Sequence, residues 1–237
     1  MNHRGPRWLF GSCVVASLGI IAAALRLWGA AEIRASWAVV FFLTFVGALW
    51  LLLATDFFSW LGLSFHDDAI ERANVPALIA LCGAVIAVAI IYAGGSIGEG
   101  PSYGNNVFSA GLGTAALFAL WVLLELGAKV SVSIAEDRDL ASGLRLSGLL
   151  MGTGLILGRS VAGDWHSASA TVQDSIRDGW LAASLVLVAL VIERLVRPTR
   201  QRPVPPWPSR GLLPALLYLA IAGAWVWYLG AWEGMPK

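Results

Sequence analysis

Seven stretches of this chain are each long and apolar enough to cross a bilayer, and that feature removes most folds from consideration. They run from Trp8 to Ala30, Trp37 to Leu63, Val75 to Ile97, Val107 to Gly127, Leu140 to Ala162, Trp180 to Val196 and Leu212 to Trp232. A hydrocarbon core of about 30 Å asks for about 20 apolar residues per helix. Seven such spans in 237 residues leave room for short connections and no sizeable soluble domain. None of the runs alternates at period two, as a barrel strand would. Because backbone amides must be satisfied inside lipid, the remaining solution is helical. Composition agrees, with 58% hydrophobic and 13% charged residues, against roughly one half and one quarter in soluble domains. The expected fold is all-α, a polytopic transmembrane bundle.

The first run follows His3, Arg4 and Arg7, so a signal peptide cleaved near Ala30 or Ala31 is an alternative. The run is long for that purpose and Arg26 interrupts the cleavage region, which favours an uncleaved span. Basic residues then set an orientation. With the amino terminus inside, the cytoplasmic side collects ten of them: Arg4, Arg7, Arg72, Lys129, Arg138, Arg194, Arg197, Arg200, Arg202 and Arg210. The opposite side collects four, Arg26, Arg34, Arg177 and Lys237. The expectation is an amino terminus in the cytoplasm and a carboxyl terminus outside. Between the sixth and seventh runs, RPTRQRPVPPWPSR is too rich in proline to continue a helix. It reads as a basic cytoplasmic linker, serving either as a topology signal or as a contact for anionic lipid headgroups. Trp225, Trp227 and Trp232 read as an interfacial anchor for the last run.

Sliding the chain on itself by 65 residues lays the third run over the fifth. Glu71 meets Glu136, Asn74 meets Asp139, Gly83 meets Gly148, Gly98 meets Gly163 and Glu99 meets Asp164. An offset of 68 then pairs Gly111 with Gly179, Ala115 with Ala183 and Glu125 with Glu193. The middle of the chain therefore reads as a helix hairpin duplicated in tandem. Both copies start on the same side, so the repeat is parallel, with a pseudo-twofold axis along the membrane normal that makes the third and fifth spans mates. The expected organisation is a first span over 1–36, the second span plus the first repeat hairpin over 37–127, the second repeat hairpin over 128–197, the Pro/Arg-rich linker over 198–210 and the last span over 211–237.

The segments EDRDLASGLRLSGLLMGTGLILGRSVAGDW (Glu136 to Trp165) and ERANVPALIALCGAVIAVAIIYAGGSIGEG (Glu71 to Gly100) resemble the bacterial membrane proteins of the domain of unknown function 350 family. That family carries a short acidic, Asn-containing entry to a Gly-rich span, often in two copies. The resemblance covers roughly residues 45 to 197 and is most specific in the second copy. The first copy departs from it, with Pro76 and with no arginines matching Arg145 and Arg159. It implies a bacterial inner-membrane location and no particular reaction.

Ionisable groups at membrane depth cost several kcal/mol unless paired or hydrated, so each is a functional candidate. Arg145 reads as reaching Asp139 or snorkelling to headgroups. Arg159 reads as pairing with Asp164, or with Glu99 of the matching helix, in a clasp or at the mouth of a polar pathway. Glu125 and Glu193 each precede a base by four residues, Lys129 and Arg197, the favourable order for a helical ion pair. The alternative sets both carboxylates about a shared axis, where a proton or cation could be held. Asn74 and Asp139 suit helix N-caps. Gly83, Gly98, Gly148, Gly152, Gly154, Gly158 and Gly163 suit close helix packing, with a backbone-lined conduit as the alternative.

Several classes are excluded. His3, His66 and His166 all fall outside the runs, so no intramembrane histidine pair is available for haem or a metal. His66 reads as an interfacial polar residue. Cys13 and Cys82 fall in separate runs without a CxxC pair and read as small apolar residues. No nucleotide-binding loop, Ser-His-Asp set or HExxH occurs, and no basic tract would track a nucleic acid. The expectation is a non-enzymatic protein without cofactor or metal, with membrane lipids and a homo-oligomer or membrane complex as its partners. Its function is read as an ion or solute pathway between the hairpins, or alternatively as a non-conducting structural subunit.

Overall fold

The computed structural model describes residues 4–196 and 206–231, with side chains from residue 7 onward. Most of the Pro/Arg-rich linker, with Arg197, Arg200 and Arg202, lies outside the described residues, as do His3, Trp232 and Lys237. The protein is a bundle of helices. Seven helical segments among the described residues have the length and composition of membrane spans: Arg7–Trp28, Trp37–Trp60, Val75–Gly95, Tyr103–Ala128, Leu140–Ser160, Ala168–Val196 and Pro208–Leu229. We call them the first to seventh spans, and call the end where odd spans begin the near face and the opposite end the far face. Large apolar side chains such as Trp8, Phe41, Phe45, Trp60, Leu126 and Trp227 stand exposed around the bundle. A water-soluble surface does not tolerate that much contiguous apolar area; lipid does, and this is a multi-pass membrane protein.

The third and fifth spans form the core, with 72% and 78% of their most apolar windows buried, against 39% or less for every other span. Each begins alike. Ala73 and Arg138 take left-handed φ of 47° and 52°, and the next residue caps the helix. Asn74 Oδ1 accepts from the Ala77 amide at 3.2 Å, and Asp139 accepts from the Ala141 and Ser142 amides at 3.0 and 3.1 Å. These are the capping roles the sequence suggests. Ahead of each lies a short helical turn, Phe65–Glu71 in one case and Val130–Ala135 in the other. The backbone bonds agree too: the Asn74 amide reaches Asp68 O, and the Asp139 amide reaches Ser133 O, both at 3.0 Å.

The odd spans lie side by side in the order first, third, fifth, seventh. The contacts are those of a row, which differs from the pseudo-twofold arrangement expected from sequence. Gly83 stands against Ser147 of the fifth span, whereas Gly148, its counterpart one hairpin later, stands against Ala215 of the seventh. A twofold would have turned Gly148 back onto the third span. The fifth span thus uses two small-residue faces. Gly143, Gly154 and Gly158 meet Pro76, Ala87 and Ile90 of the third span, and Gly148 and Gly152 meet Ala215 and Tyr218 of the seventh. Gly98 and Gly163 are not helix-packing residues. They lie beyond the helix ends at φ of 99° and 133°, a region that favours glycine because a Cβ would clash with its own backbone.

The Cβ position of Gly94 falls on the Gly158 carbonyl, so Gly94→Ala must push two backbones apart. Overpacking of this kind costs about 1–3 kcal/mol. The exposed Gly19 has open space beside it, so Gly19→Ala should be neutral or stabilise the helix by about 0.5–1 kcal/mol. Thermal unfolding in detergent, followed by tryptophan fluorescence, should therefore show a lowered midpoint for the first variant only.

Candidate functional site

Two polar systems lie at opposite ends of the fifth span. Near the near face, Arg145 is 1% exposed and reaches across to the sixth span. Its Nε donates to Glu193 Oε1 at 2.5 Å and its Nη2 to Glu193 Oε2 at 2.7 Å. Nη2 also donates to Ser142 Oγ at 2.8 Å, and Nη1 donates to the Arg210 carbonyl. The Ser142 hydroxyl in turn donates to Asp139 Oδ2 at 2.7 Å, and Asp139 stands 3.9 Å from Arg145. The arginine is therefore buried and forked onto a carboxylate, the geometry in which guanidinium pairs are strongest; it does not snorkel. Tyr218 of the seventh span lies beside the pair.

Glu193 and Glu125 hold matched sequence positions but do different work. Glu125 accepts from the Ser131 amide at 3.0 Å and from the Ser131 hydroxyl at 2.5 Å. Its expected i, i+4 partner turns away, because Lys129 adopts φ 48°, ψ 52° and ends the helix. The Arg197 suggested for Glu193 lies outside the described residues.

At the far face, the sixth-span helix starts at Ala168, well before the apolar run at Trp180, with the Ser167 hydroxyl accepting from the Ala170 amide at 3.1 Å. Its polar first turns rise beside the ends of the third and fifth spans. Together they enclose a basin of about 430 Å³. One wall comes from the first hairpin, with Glu99, Asn105 and Ser109, and the other from the second, with Arg159, Asp164, Asp174, Arg177 and Asp178. Arg177 is bound to Asp178 at 2.8 Å and to Asp174 at 3.0 Å. Arg159 Nη2 donates to the Gly230 and Ala231 carbonyls at 3.3 and 3.5 Å.

The structure places Arg159, Asp164 and Glu99 around the same basin, but the contacts differ from the ion pair expected. Asp164 Oδ1 accepts from the Glu99 amide at 2.8 Å, and Glu99 Oε1 accepts from the Ala31 amide at 2.7 Å. The Trp165 amide donates to Glu99 O at 2.8 Å, and the Gly163 amide to Ile97 O at 3.2 Å. Gly29 and Gly98 form a parallel bridge. Three extended segments, one after each of the first three odd spans, are thus laced edge to edge. The carboxylates neutralise orphan amides that no helix could satisfy.

Comparison of the chain with family models, characterised proteins and solved structures gives no match. Its chemistry rests on its own geometry. A third group, His66, Asp67 and Glu71, offers ligand atoms within 4.8 Å of one another on the exposed near face. The hydrogen bond with His66, followed by that with Ser64, holds the Asp67 carboxyl below the usual carboxylate range. Sequence reading treated His66 as interfacial; the turn Phe65–Glu71 is what brings Glu71 back to it. The sequence also gave no signal for the Arg145–Glu193 pair, whose members are 48 residues apart.

Removing one partner of a buried pair leaves the other charge unpaired, at about 3–5 kcal/mol, whereas replacing both is often near neutral. Glu193→Leu should accordingly unfold at clearly lower denaturant or temperature than the wild type. The double variant Arg145→Met with Glu193→Leu should recover most of that loss. Equal loss in single and double variants would show that the pair does not support this end of the bundle.

Proposed function

We propose that the protein admits a small ion or polar solute at the far-face basin, as the mouth of a route between its two matched hairpins. The observation that carries this reading is the basin itself: about 430 Å³, walled by both hairpins and lined by charged and amide side chains at the end of an otherwise apolar bundle. Among its charged walls Arg159 belongs to the fifth span itself, and an ionisable group within a span is usually retained where an ion or solute meets it. Its described walls hold Glu99, Asp164, Asp174 and Asp178 against Arg159 and Arg177, an excess of acid that favours cations or dipolar solutes at the entrance. This reading includes no bond-making step and no cofactor.

Recurrence of the same caps, left-handed residues and backbone bonds an offset of 65 apart supports descent of the hairpins from one ancestor. It also fits the resemblance to the domain of unknown function 350 family. A bacterial inner-membrane location with the amino terminus inside follows from that resemblance and from the ten-to-four division of basic residues.

A second reading also has an observation behind it. The third and fifth spans touch backbone to backbone, Gly94 on Gly158 and Gly154 on Ala87, which leaves no gap between them below the basin. A non-conducting subunit of a membrane assembly needs no gap.

Flux from liposomes loaded in turn with common cations, anions and protons separates the two. Wild type should pass one class selectively, and Arg159→Ala and Asp164→Ala, each checked for a single folded species in detergent, should lower that flux several-fold. Identical leak in all three would defeat the pathway. Reporter fusions at Arg72 and Arg138 should report the same, cytoplasmic, side.

A further inference from the structure

The first and third spans carry the chain's two cysteines, and packing brings them together. Cys13 lies about two turns into the first span, and Cys82 seven residues past the start of the third, which is about 10 Å along the helix. The Cys13 thiol donates to the Cys82 carbonyl at 3.5 Å, which sets its sulfur beside Cys82. Both are half-buried free thiols, so neither is sealed off from the surface of the bundle. One turn beyond Cys13, Ser17 is fully buried. Its hydroxyl makes no hydrogen bond among the described residues.

Two cysteines this close, at this depth, admit two chemistries, and charge decides between them. Holding a soft cation such as Cu(I) between two thiolates would place a net negative complex in the apolar interior. Among the described residues, no cationic side chain is hydrogen-bonded to either thiol to balance the charge. An uncompensated charge there is far more costly than a neutral product. Disulfide formation leaves nothing charged behind, provided the oxidant takes up protons with electrons.

We propose that Cys13 and Cys82 are a membrane-embedded dithiol that a lipid-soluble quinone oxidises to a disulfide, stapling the first span to the third. Both S–H bonds break and one S–S bond forms. The two electrons and two protons pass to the quinone oxygens, giving the quinol. Reactants and products are all neutral, as the site requires, and the bond closes a loop that contains the whole second span. The inference is independent of the far-face basin.

The chain has only two cysteines, which makes the test unambiguous. The full chain in liposomes is exposed to a tetrasubstituted benzoquinone, which has no free ring position to arylate a thiol. It is then denatured in N-ethylmaleimide and weighed intact. Before oxidation two adducts are expected. Afterwards none should remain, with the protein two hydrogens lighter and still monomeric, and with an upward shift of its unfolding midpoint that dithiothreitol reverses. Cys13→Ser should keep one adduct under the same treatment. Two adducts persisting in the folded wild type would overturn the proposal, and so would a disulfide yield no higher in the folded protein than in chain already unfolded in dodecyl sulfate.

Discussion

Backbone-to-backbone approach of the odd spans is the constraint from which the rest of the bundle follows. Lipid offers no hydrophobic drive for one helix to prefer another, so association depends on close contact and internal hydrogen bonds. Along the third and fifth spans the side chains that would hold the helices apart are absent: Gly143 sits on Pro76, Gly154 on Ala87, and Gly94 on Gly158. Contacts of this kind tolerate little sliding, because a shift of one residue puts a Cβ where a carbonyl lies. They fix the depth of each span relative to the next. Gly148 and Gly152 repeat the device on the other side of the fifth span and fix the seventh.

Fixed depth is what lets the polar chemistry at each end be so local. At the far face the residues after the first, third and fifth spans arrive level with one another, so Asp164 can reach the Glu99 amide and Glu99 the Ala31 amide. The same position carries an acid in the third and fifth segments and alanine in the first, where no earlier segment presents an amide to receive one. The basin exists because the sixth helix continues beyond the level at which the odd spans stop. Its walls are the polar turns that a hydrophobic span has no use for.

The seven spans were legible because the bilayer imposes a length and a composition that a linear scan detects. The caps at Asn74 and Asp139 were legible for a related reason, since a cap acts on amides two or three residues away. Whatever depended on which helix faces which was not legible. Arg145 does come within ion-pair range of Asp139, its neighbour in sequence, but its fork closes on Glu193, for which the linear order holds no sign. The i, i+4 rule assigned Lys129 to Glu125, but the rule presumes a continuing helix, and the left-handed Lys129 ends it. Gly98 and Gly163 look like packing glycines in a string of letters; only their φ angles show that they serve the turn. The cysteines lie 69 residues apart, and nothing short of helix packing could have joined them.

The two arginines of the fifth span have a common consequence. Arg145 donates to the Arg210 carbonyl in the first turn of the seventh span, and Arg159 to the Gly230 and Ala231 carbonyls just after it. The Gly230 and Ala231 carbonyls lie at the carboxyl end of the span, where helix carbonyls are left unsatisfied, and the Arg210 carbonyl has Pro214, which carries no N–H, four residues on. Between them the two helices meet through Gly148 and Gly152. The seventh span is therefore held at both ends by hydrogen bonds from one helix and seated along its length by the absence of side chains on that helix. Because Arg145 is also the partner of Glu193, and Arg159 is also a wall of the basin, displacement of the seventh span along the fifth would disturb both polar systems together. The fifth span thus joins the polar systems at the two ends of the bundle mechanically.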